Sequence, residues 1–594
     1  MNGTEEDFTA SPAAAAAEEE KDENNASQQP SQGNSRRPPE DTFLYGMNDI
    51  PDWSTSFLVG FQHYLAMIGG TIAMPLILCP SLCMLKDDIG RGYLVSTIIF
   101  VSGIITLLQT TFGIRLPIVQ GGNFAYVVPA ITIASTSFPP CSSLPLANMT
   151  QAEKTEEWQL RIRELQGAIA VSALAQVFVG FTGLVGVFLS WITPLAIVPT
   201  VTLLGLSLYE QGAKQAAGYW PISSLTIVLL VIFSQYMKDI EVPMPIYRMK
   251  KGFEFTFIKI FTFYPLLIAV AISWTTCGIL TLNDLIPRNS TARTDSAGSL
   301  LSDTPWFRIP YPGQWGSPTV SVAGVVGVMA GVVASIIESI GDYYACARIA
   351  RVPPPPTHAI NRGVAIEGVG CVLAGLWGTS SGTASYTGNI VLLGISKVAS
   401  RRVVQASGFM MLVCGVFGKF GAFFATLPQP VLGGIIIYFF GIITALGLST
   451  LQFVNLSSSR NLFVLGFSIF MGLALPDWLE KNPDAIRTGS AIADQSLTVL
   501  LKTTMFVGGF LGCVLDNTIP GTDEERGLVA WEEYLKGGDE ALLENNSIEE
   551  CYDLPWGMDV IRRHKWFKWI PFSPTYEGIS FEQRRLCSSC RKDQ

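Results

Sequence analysis

Charged residues are scarce in this chain of 594 residues. Asp, Glu, Lys and Arg together make up 15% of the sequence, and only three histidines are present. Soluble globular domains carry about 25% charged residues, so an ordinary soluble enzyme or binding domain is excluded. The sequence also lacks a nucleotide-binding glycine loop, a complete metal motif and a large extramembrane domain. We therefore expect no catalysis, no cofactor and no nucleic-acid partner.

Hydrophobic residues dominate what is present. They form 49% of the sequence, and the mean hydropathy is +0.36. Fifty-six glycines and thirty-five prolines lie among the apolar runs, as membrane helices tolerate. Residues 1–50 are rich in Ala, Glu, Ser and Pro and are predicted to form a disordered cytosolic tail. No basic segment followed by an apolar core opens the chain, so no cleavable signal peptide is expected.

About fourteen apolar runs are long enough for full or half membrane spans. They form two sets of seven, separated by a long loop, and predict an all-α polytopic membrane protein. The runs are 56–78, 93–112, 116–135, 167–188, 193–209, 220–233, 260–280, 320–343, 363–376, a glycine-rich stretch to 395, 403–425, 431–446, 461–475 and 497–514.

Lys and Arg residues concentrate in alternate short loops and predict the orientation, with the N-terminus in the cytosol. The glycosylation sequons at Asn148 and Asn289 then lie in two large external loops. An even number of spans places both tails in the cytosol of a multi-pass plasma-membrane protein. Cys83 and Cys141 both fall outside, where they are free to pair, although the sequence alone leaves this open.

Two apolar runs are interrupted by glycine and polar residues at corresponding positions of the two halves. These interruptions are 120–126 in the third run and 378–389 in the tenth. Unwound backbone survives in a membrane only where it lines a polar cavity, and half-helix N-termini there bind polar solutes. Close packing of glycines between helices is the alternative. The predicted substrate-binding residues from these segments are Asn123, Phe124, Tyr386, Gly388 and Asn389.

The eighth run carries two acidic residues, Glu338 and Asp342, which lie four positions apart and share one helix face. A carboxylate within a bilayer costs at least ~2.5 kcal/mol, so both predict a functional role. We expect Glu338 to accept hydrogen bonds from a solute, and Asp342 to bind a sodium ion or carry a proton. Solvation of Asp342 at the cytosolic end is the alternative. His63, inside the first run, is predicted to support ion coupling by hydrogen bonding to this carboxylate pair.

Several longer stretches resemble the nucleobase–ascorbate transporter family, and particularly its animal branch, the sodium-dependent vitamin C transporters. The resemblance covers residues 45 to about 574. It is carried by the stretches QHYL at 62–65, ESIGDYYACAR at 338–348, PPPPTHAINRG at 353–363, SSRNLFVLG at 458–466 and DNTIPG at 516–521.

This resemblance implies a domain organisation. Fourteen spans would form two inverted seven-span repeats, with short strands before the half-helices of spans three and ten. A core domain would move like an elevator against a gate domain, within a homodimer. The implied segments are core 51–192 and 320–427, gate 193–280 and 428–515, external loop 281–319 and cytosolic tail 516–594.

The resemblance also implies residue roles. Glu338 would hold the substrate, Phe124 would pack against it, and Asp342 would lie where a bacterial relative carries a coupling histidine. The pocket departs from the pattern of vitamin C transporters, because Gly388 has no side chain where a larger residue is expected. Asn123 and Tyr386 add polar groups.

Three functions fit these observations. The first is sodium-coupled symport of ascorbate, with Asp342 and unwound carbonyls as oxygen ligands for sodium. One inward charge at 100 mV supplies about 2.3 kcal/mol for accumulation. The second is symport of a nucleobase with sodium or protons. The third is a divergent paralogue that no longer transports, against which the retained Glu338, Asp342, His63 and Asn389 argue.

Overall fold

The computed structural model describes residues 43–145, 148–248, 252–288, 290–295, 298–536 and 551–576. Most of the predicted N-terminal tail and the sequon residue Asn289 lie outside these ranges. Within them the chain is mostly α-helical. The helices are α1 Trp53–Leu78, α2 Gly90–Thr111, α3 Val127–Ser137, α4 Gln151–Thr182, α5 Val185–Trp191, α6 Pro194–Leu206, α7 Tyr209–Ala216, α8 Trp220–Val231, α9 Ile260–Phe263, α10 Pro265–Leu282, α11 Gly298–Asp303, α12 Val322–Ile349, α13 Thr357–Trp377, α14 Thr387–Ser396, α15 Arg401–Val416, α16 Gly418–Ala425, α17 Gln429–Ser449, α18 Ser459–Lys481, α19 Ala491–Lys502, α20 Thr504–Thr518, α21 Leu528–Lys536 and α22 Met558–Arg563.

Many of these helices have the length and apolar character of membrane spans. In the described residues nine do so, or ten if α19 and α20, bent by 83° at their junction, form one span. Shorter apolar helices include α14. The prediction of a helical polytopic membrane protein is therefore confirmed, while the count of fourteen spans stays a prediction.

Several element boundaries differ from the sequence prediction. Helix α4 begins at Gln151 rather than 167, because Thr150 and Glu153 form a capping box that starts the helix in a polar segment. Helix α12 continues to Ile349, six residues beyond the predicted end at 343. The predicted run 403–425 is divided at Phe417 into α15 and α16.

A β-hairpin was not predicted. Strands β2, Val242–Arg248, and β3, Gly252–Ile258, pair antiparallel with Val242 opposite Ile258. The sequence prediction has only a basic loop between the apolar runs 220–233 and 260–280. In β3 an aromatic residue recurs at every second position, at Phe253, Phe255 and Phe257, which is typical of a strand and was the available signal.

The two halves of the sequence interleave in one helix group. Helix α4 packs along α13, α2 packs along α15, and α12 packs on α4. Small residues allow the close approach: a Cβ added at Gly368 or Gly375 would lie 2.7 Å from a backbone nitrogen of α4. In a second group, α6 contacts α17, α18 and α20, and α18 also contacts α20.

The last described segment, 551–576, lies against the first helix group. The Tyr552 side chain is fully buried, and its hydroxyl donates to the Pro353 carbonyl at 2.6 Å. Arg362, in the first turns of α13, donates to the Tyr552 carbonyl at 2.7 Å. Part of the predicted C-terminal tail is therefore packed rather than free.

Cys83 and Cys141 form a disulfide bond across a separation of 58 residues. Closing a loop of that length removes chain entropy from the unfolded state and is worth about 4 kcal/mol. We expect Cys141→Ser to lower the free energy of unfolding by about this amount, measured by thermal denaturation of the purified protein. Cys513→Ser, at a free and half-buried thiol, should change stability much less. Equal melting curves for the two variants would contradict the prediction.

Candidate functional site

The two interrupted segments meet in a pair of short strands. Strand β1, Gln120–Gly122, pairs antiparallel with β4, Thr383–Ser385, so that Gln120 lies opposite Ser385. The Asn123 amide donates to the Gly382 carbonyl at 3.0 Å, and the Tyr386 amide donates to the Val119 carbonyl at 3.0 Å. These bonds satisfy the unwound backbone, which a membrane interior requires. The pairing brings the starts of α3 and α14 together.

Asn123 organises the start of the first half-helix. Its side-chain oxygen accepts from the Ala125 amide at 2.7 Å and caps the 3₁₀ turn Phe124–Tyr126 that leads into α3. Its side-chain nitrogen donates to the Ser335 hydroxyl of α12 at 3.1 Å. The same amide interacts with the carboxyl group of Glu338, which is half-buried one turn further along α12. Asn123 and Glu338, both predicted substrate residues, therefore lie together.

Asp342 contacts the second half-helix. Its carboxylate oxygens accept from the Thr387 hydroxyl at 3.0 and 3.2 Å, and Thr387 is the first residue of α14. Asp342 is only 5% exposed. The structure therefore does not support the alternative in which solvent surrounds Asp342 at the cytosolic end of the helix. The carboxylates of Glu338 and Asp342 are close enough to repel each other. A cation bound beside them would offset this repulsion.

His63 has a different partner from the one expected. The Asn389 side-chain amide donates to the His63 carbonyl at 2.9 Å and lies 3.1 Å from the imidazole Nδ1. Nδ1 then accepts, and the ring proton is on Nε2. The predicted hydrogen bond from His63 to the carboxylate pair is therefore wrong. His63 instead fixes Asn389, a predicted substrate residue. The prediction failed because the order of helices in the sequence does not show which helix faces α1.

Glu367 of α13, a fully buried acid beside these residues, was not predicted from the sequence. Its carboxylate accepts from Ser339 and from the Tyr343 hydroxyl at 2.6 Å. Gln109 of α2 donates to that hydroxyl at 2.8 Å. Ser339 and Tyr343 directly follow Glu338 and Asp342, so this network fixes the rotation of α12. The available signal was a lone Glu within the apolar run 363–376.

Phe124 lies between the half-helix and the second helix group. Its ring centroid is 5.2 Å from that of Phe440 and 6.1 Å from that of Phe439, both on α17. The contacts are edge-on and tilted aromatic contacts without hydrogen bonds. Phe124 is half-buried, so part of its ring remains accessible to a solute.

Tyr386 and Gly388 flank the start of α14. A Cβ added at Gly388 would lie 2.9 Å from Cε1 of Tyr386, and one added at Gly70 would lie 2.6 Å from the Tyr386 hydroxyl. The tyrosine ring therefore takes space that side chains at these glycines would need. Tyr126, by contrast, is 1% exposed, and its hydroxyl donates to Cys371 Sγ at 3.4 Å. Tyr126 therefore packs in the core and does not rim the pocket.

Several polar atoms around the strand pair are buried without a protein partner. They provide unused hydrogen-bonding capacity where the two half-helices meet, as a site for a polar solute requires. No group of three or more His, Cys, Asp or Glu side chains is arranged to hold a metal ion in the described ranges. The unpaired atoms include Thr71 Oγ1, Gln120 Oε1, Thr383 Oγ1, Asn389 Oδ1 and His63 Nε2.

Gly331 of α12 provides a test of the close packing between α12 and the turn that carries Phe124. A Cβ at Gly331 would lie 2.8 Å from the Ala125 carbonyl oxygen, and it would push the turn that carries Phe124 away from α12. We expect Gly331→Ala to lower transport at least about tenfold, while surface expression is maintained. Gly466→Ala in α18, where nothing lies within 4 Å, is the matched control. Equal uptake by the two variants would refute the predicted packing.

The predicted glycosylation residue Asn148 is exposed in the segment between α3 and α4. Its amide donates to the Pro145 carbonyl at 2.9 Å, within a turn. The side chain is therefore accessible, while its use as an acceptor stays a prediction.

Comparison with known proteins gives one consistent family. A model described as the Permease family matches residues 54–481. Solute carrier family 23 member 1 of Mus musculus is 48% identical over 550 residues, covering 91% of this chain and 90% of the relative. Solute carrier family 23 member 2 of Homo sapiens is 48% identical over 563 residues, covering 93% and 86%.

More distant relatives extend the comparison. Nucleobase-ascorbate transporter 1 of Arabidopsis thaliana is 34% identical over 527 residues, covering 87% of this chain and 96% of the relative. Among solved structures, the transmembrane domain of the cyanobacterial bicarbonate transporter BicA matches with a TM-score of 0.40 and 12% identity, covering 79% of this chain and 98% of that one. That likeness is too weak to carry an argument. The sequence relatives and the family model show that this chain is a membrane transporter of solute carrier family 23, the nucleobase–ascorbate transporter family.

Proposed function

We propose that this transporter carries ascorbate into cells together with sodium ions. The observation that carries the proposal is the pairing of Asp342 with Thr387 at the start of α14, one helical turn from Glu338. This arrangement puts anionic and hydroxyl oxygens, which hard cations prefer, beside a group that accepts hydrogen bonds from a solute.

Sodium is supported by the chemistry of this cluster. Asp342 supplies a negative charge at a site with little solvent exposure, and Thr387 supplies a hydroxyl oxygen. Sodium would neutralise part of the repulsion between Asp342 and Glu338. Binding of sodium and binding of the solute would be coupled directly, because an anionic solute is bound more favourably once the cation is present.

Ascorbate is supported by the two half-helices and by Glu338. A monoanion is stabilised by helix N-termini, where backbone N–H groups are unpaired. The starts of α3 and α14 are brought together by the β1–β4 pair. Glu338 accepts hydrogen bonds from the hydroxyl groups of the solute, and Phe124 covers one face of its ring.

Transport would follow an elevator movement. Helices α1 to α5 and α12 to α16 would form the mobile core, and α6, α17, α18 and α20 would belong to the gate. The aromatic contact of Phe124 with α17 supports this division, because it contains no directional bond that must break. Fourteen spans, cytosolic termini, a plasma-membrane location and a homodimer complete the proposal.

A nucleobase is the second candidate. The plant relatives are named nucleobase-ascorbate transporters, and the neutral ring N–H groups of a nucleobase match a carboxylate acceptor such as Glu338. Asn123 and Tyr386 add polar groups at the site. Proton coupling through Glu338 belongs to this alternative. A divergent paralogue without transport is the third, and the buried acids argue against it because an idle site has no reason to retain them.

Uptake of radiolabelled ascorbate, uracil and xanthine tests the proposal in cells that express the full chain. Each solute is measured in sodium and in choline buffer, with surface expression quantified. Ascorbate uptake that requires sodium is the expected result. Nucleobase uptake without ascorbate uptake would favour the second candidate, and no uptake of any of the three would reject transport of these solutes.

A further inference from the structure

An apolar cavity of about 590 Å³ borders the face of α12 that does not carry the carboxylates. It is bordered by α12, α5, α6, α19 and α20. On α12 the lining residues include Val326, Val333 and Ile337, which recur at helical spacing. The cavity has the volume of a small-ligand site, but it is separate from the strand pair and its polar groups.

The lining offers almost nothing to a polar ligand. Two of its few polar side chains, those of Thr200 and Cys513, already have partners inside the protein. The Thr200 hydroxyl donates to the Ala196 carbonyl of its own helix at 2.7 Å, and Cys513 Sγ donates to the Trp191 carbonyl at 3.5 Å. Apolar cavities of this kind do not hold water. The lining therefore suits a hydrocarbon ligand.

The length of the cavity points to one kind of hydrocarbon. The lining residues on α12 extend from 326 to 337, which at 1.5 Å per residue is about 16 Å. Those on α20 extend from 505 to 513, or about 12 Å. One leaflet of a bilayer has a hydrocarbon thickness of about 15 Å. The cavity thus matches a single extended acyl chain.

The cavity also opens towards the bilayer. Three of its lining side chains are largely exposed: Val187 by 42%, Trp191 by 53% and Phe510 by 57%. In a membrane transporter, exposed apolar side chains on spanning helices face lipid hydrocarbon. An acyl chain can therefore enter sideways, between α5 and α20.

We infer that this cavity binds the acyl chain of a membrane phospholipid. The chain packs against the stripe of α12 that includes Ile337, directly beside Glu338 in sequence. It thereby fills the space between the helix that carries the carboxylates and the helices α6 and α20. The inference concerns lipid binding and does not depend on which solute is transported.

Photocrosslinking in lipid nanodiscs tests this inference. The purified full chain is reconstituted with phosphatidylcholine that carries a diazirine near the end of one acyl chain, irradiated, and digested for mass spectrometry. We expect labelled peptides from α12 and α20. Val333→Trp fills the cavity and should reduce that labelling at least fivefold.

Matched variants separate cavity binding from general lipid contact. Val228→Trp makes the same change at a side chain that is 52% exposed on α8, and it should leave labelling of α12 and α20 unchanged. Cys513→Phe fills the cavity from its mouth and serves if Val333→Trp does not elute as a folded protein. Labelling of α12 and α20 that persists in both filled variants, or that is absent from the unmodified chain, would overturn the inference.

Discussion

Glu338→Gln should nearly abolish solute uptake while the protein still reaches the cell surface. Glutamine keeps the size of the side chain and one acceptor oxygen, but it loses the charge that strengthens hydrogen bonds from a solute. A hydrogen bond to a charged group is worth about 1.5–3 kcal/mol, which corresponds to roughly 10- to 100-fold in affinity. The measurement is initial uptake as a function of solute concentration, normalised to surface expression.

Two comparisons make this result specific. Glu210→Gln makes the same change at an exposed residue of α7 that pairs with Lys214, and its uptake should equal that of the unmodified chain. Glu338→Asp keeps the charge but shortens the side chain, and it should retain part of the activity. Unchanged uptake by Glu338→Gln would remove Glu338 from the proposed site.

Asp516→Ala should cause a large loss of stability. Asp516 is 1% exposed and pairs with Arg460 at 2.8 Å and with Arg526 at 2.9 Å. Removing the shared carboxylate leaves two positive charges with little access to water. Breaking a buried ion pair in this way costs about 3–5 kcal/mol. We expect a markedly lower melting temperature and less protein at the surface.

Loss of the Asp516 carboxylate should affect the second helix group, to which α18 and α20 belong. Arg460 lies at the start of α18 and Asp516 near the end of α20, so the ion pair joins these two helices. Asp484→Ala, at an exposed residue after α18, is the control and should melt like the unmodified protein. A melting temperature for Asp516→Ala equal to that of the control would show that the paired charges do not stabilise this junction.

The sequence predicted the polar interruptions and the two acids on α12, because both depart from an otherwise apolar pattern. Segments 120–126 and 378–389 stood out by composition alone. Their strand pairing was implied by the family resemblance, and the structure contains it. Glu338 and Asp342 could be placed on one face by their spacing.

What the sequence could not supply was the identity of partners on other helices. Glu367 receives hydrogen bonds from Ser339 and Tyr343 because α13 lies beside α12, and helical periodicity gives a face but not its neighbour. For the same reason His63 was assigned to the carboxylates, although Asn389 is its partner. The hairpin of β2 and β3 was not predicted because the residues between two predicted membrane spans were treated only as a connecting loop.

The β1–β4 pair has a consequence for biosynthesis. Gln120 and Ser385 are 265 residues apart and are joined by a side-chain hydrogen bond as well as by the ladder. At about 5–20 residues per second, the ribosome takes roughly 13 to 50 s to make the chain between them. During that interval the first half-helix is already made, and its unwound backbone has no strand partner. Completion of the site is thus a late event in membrane insertion, and this half-helix needs another source of hydrogen bonds until then.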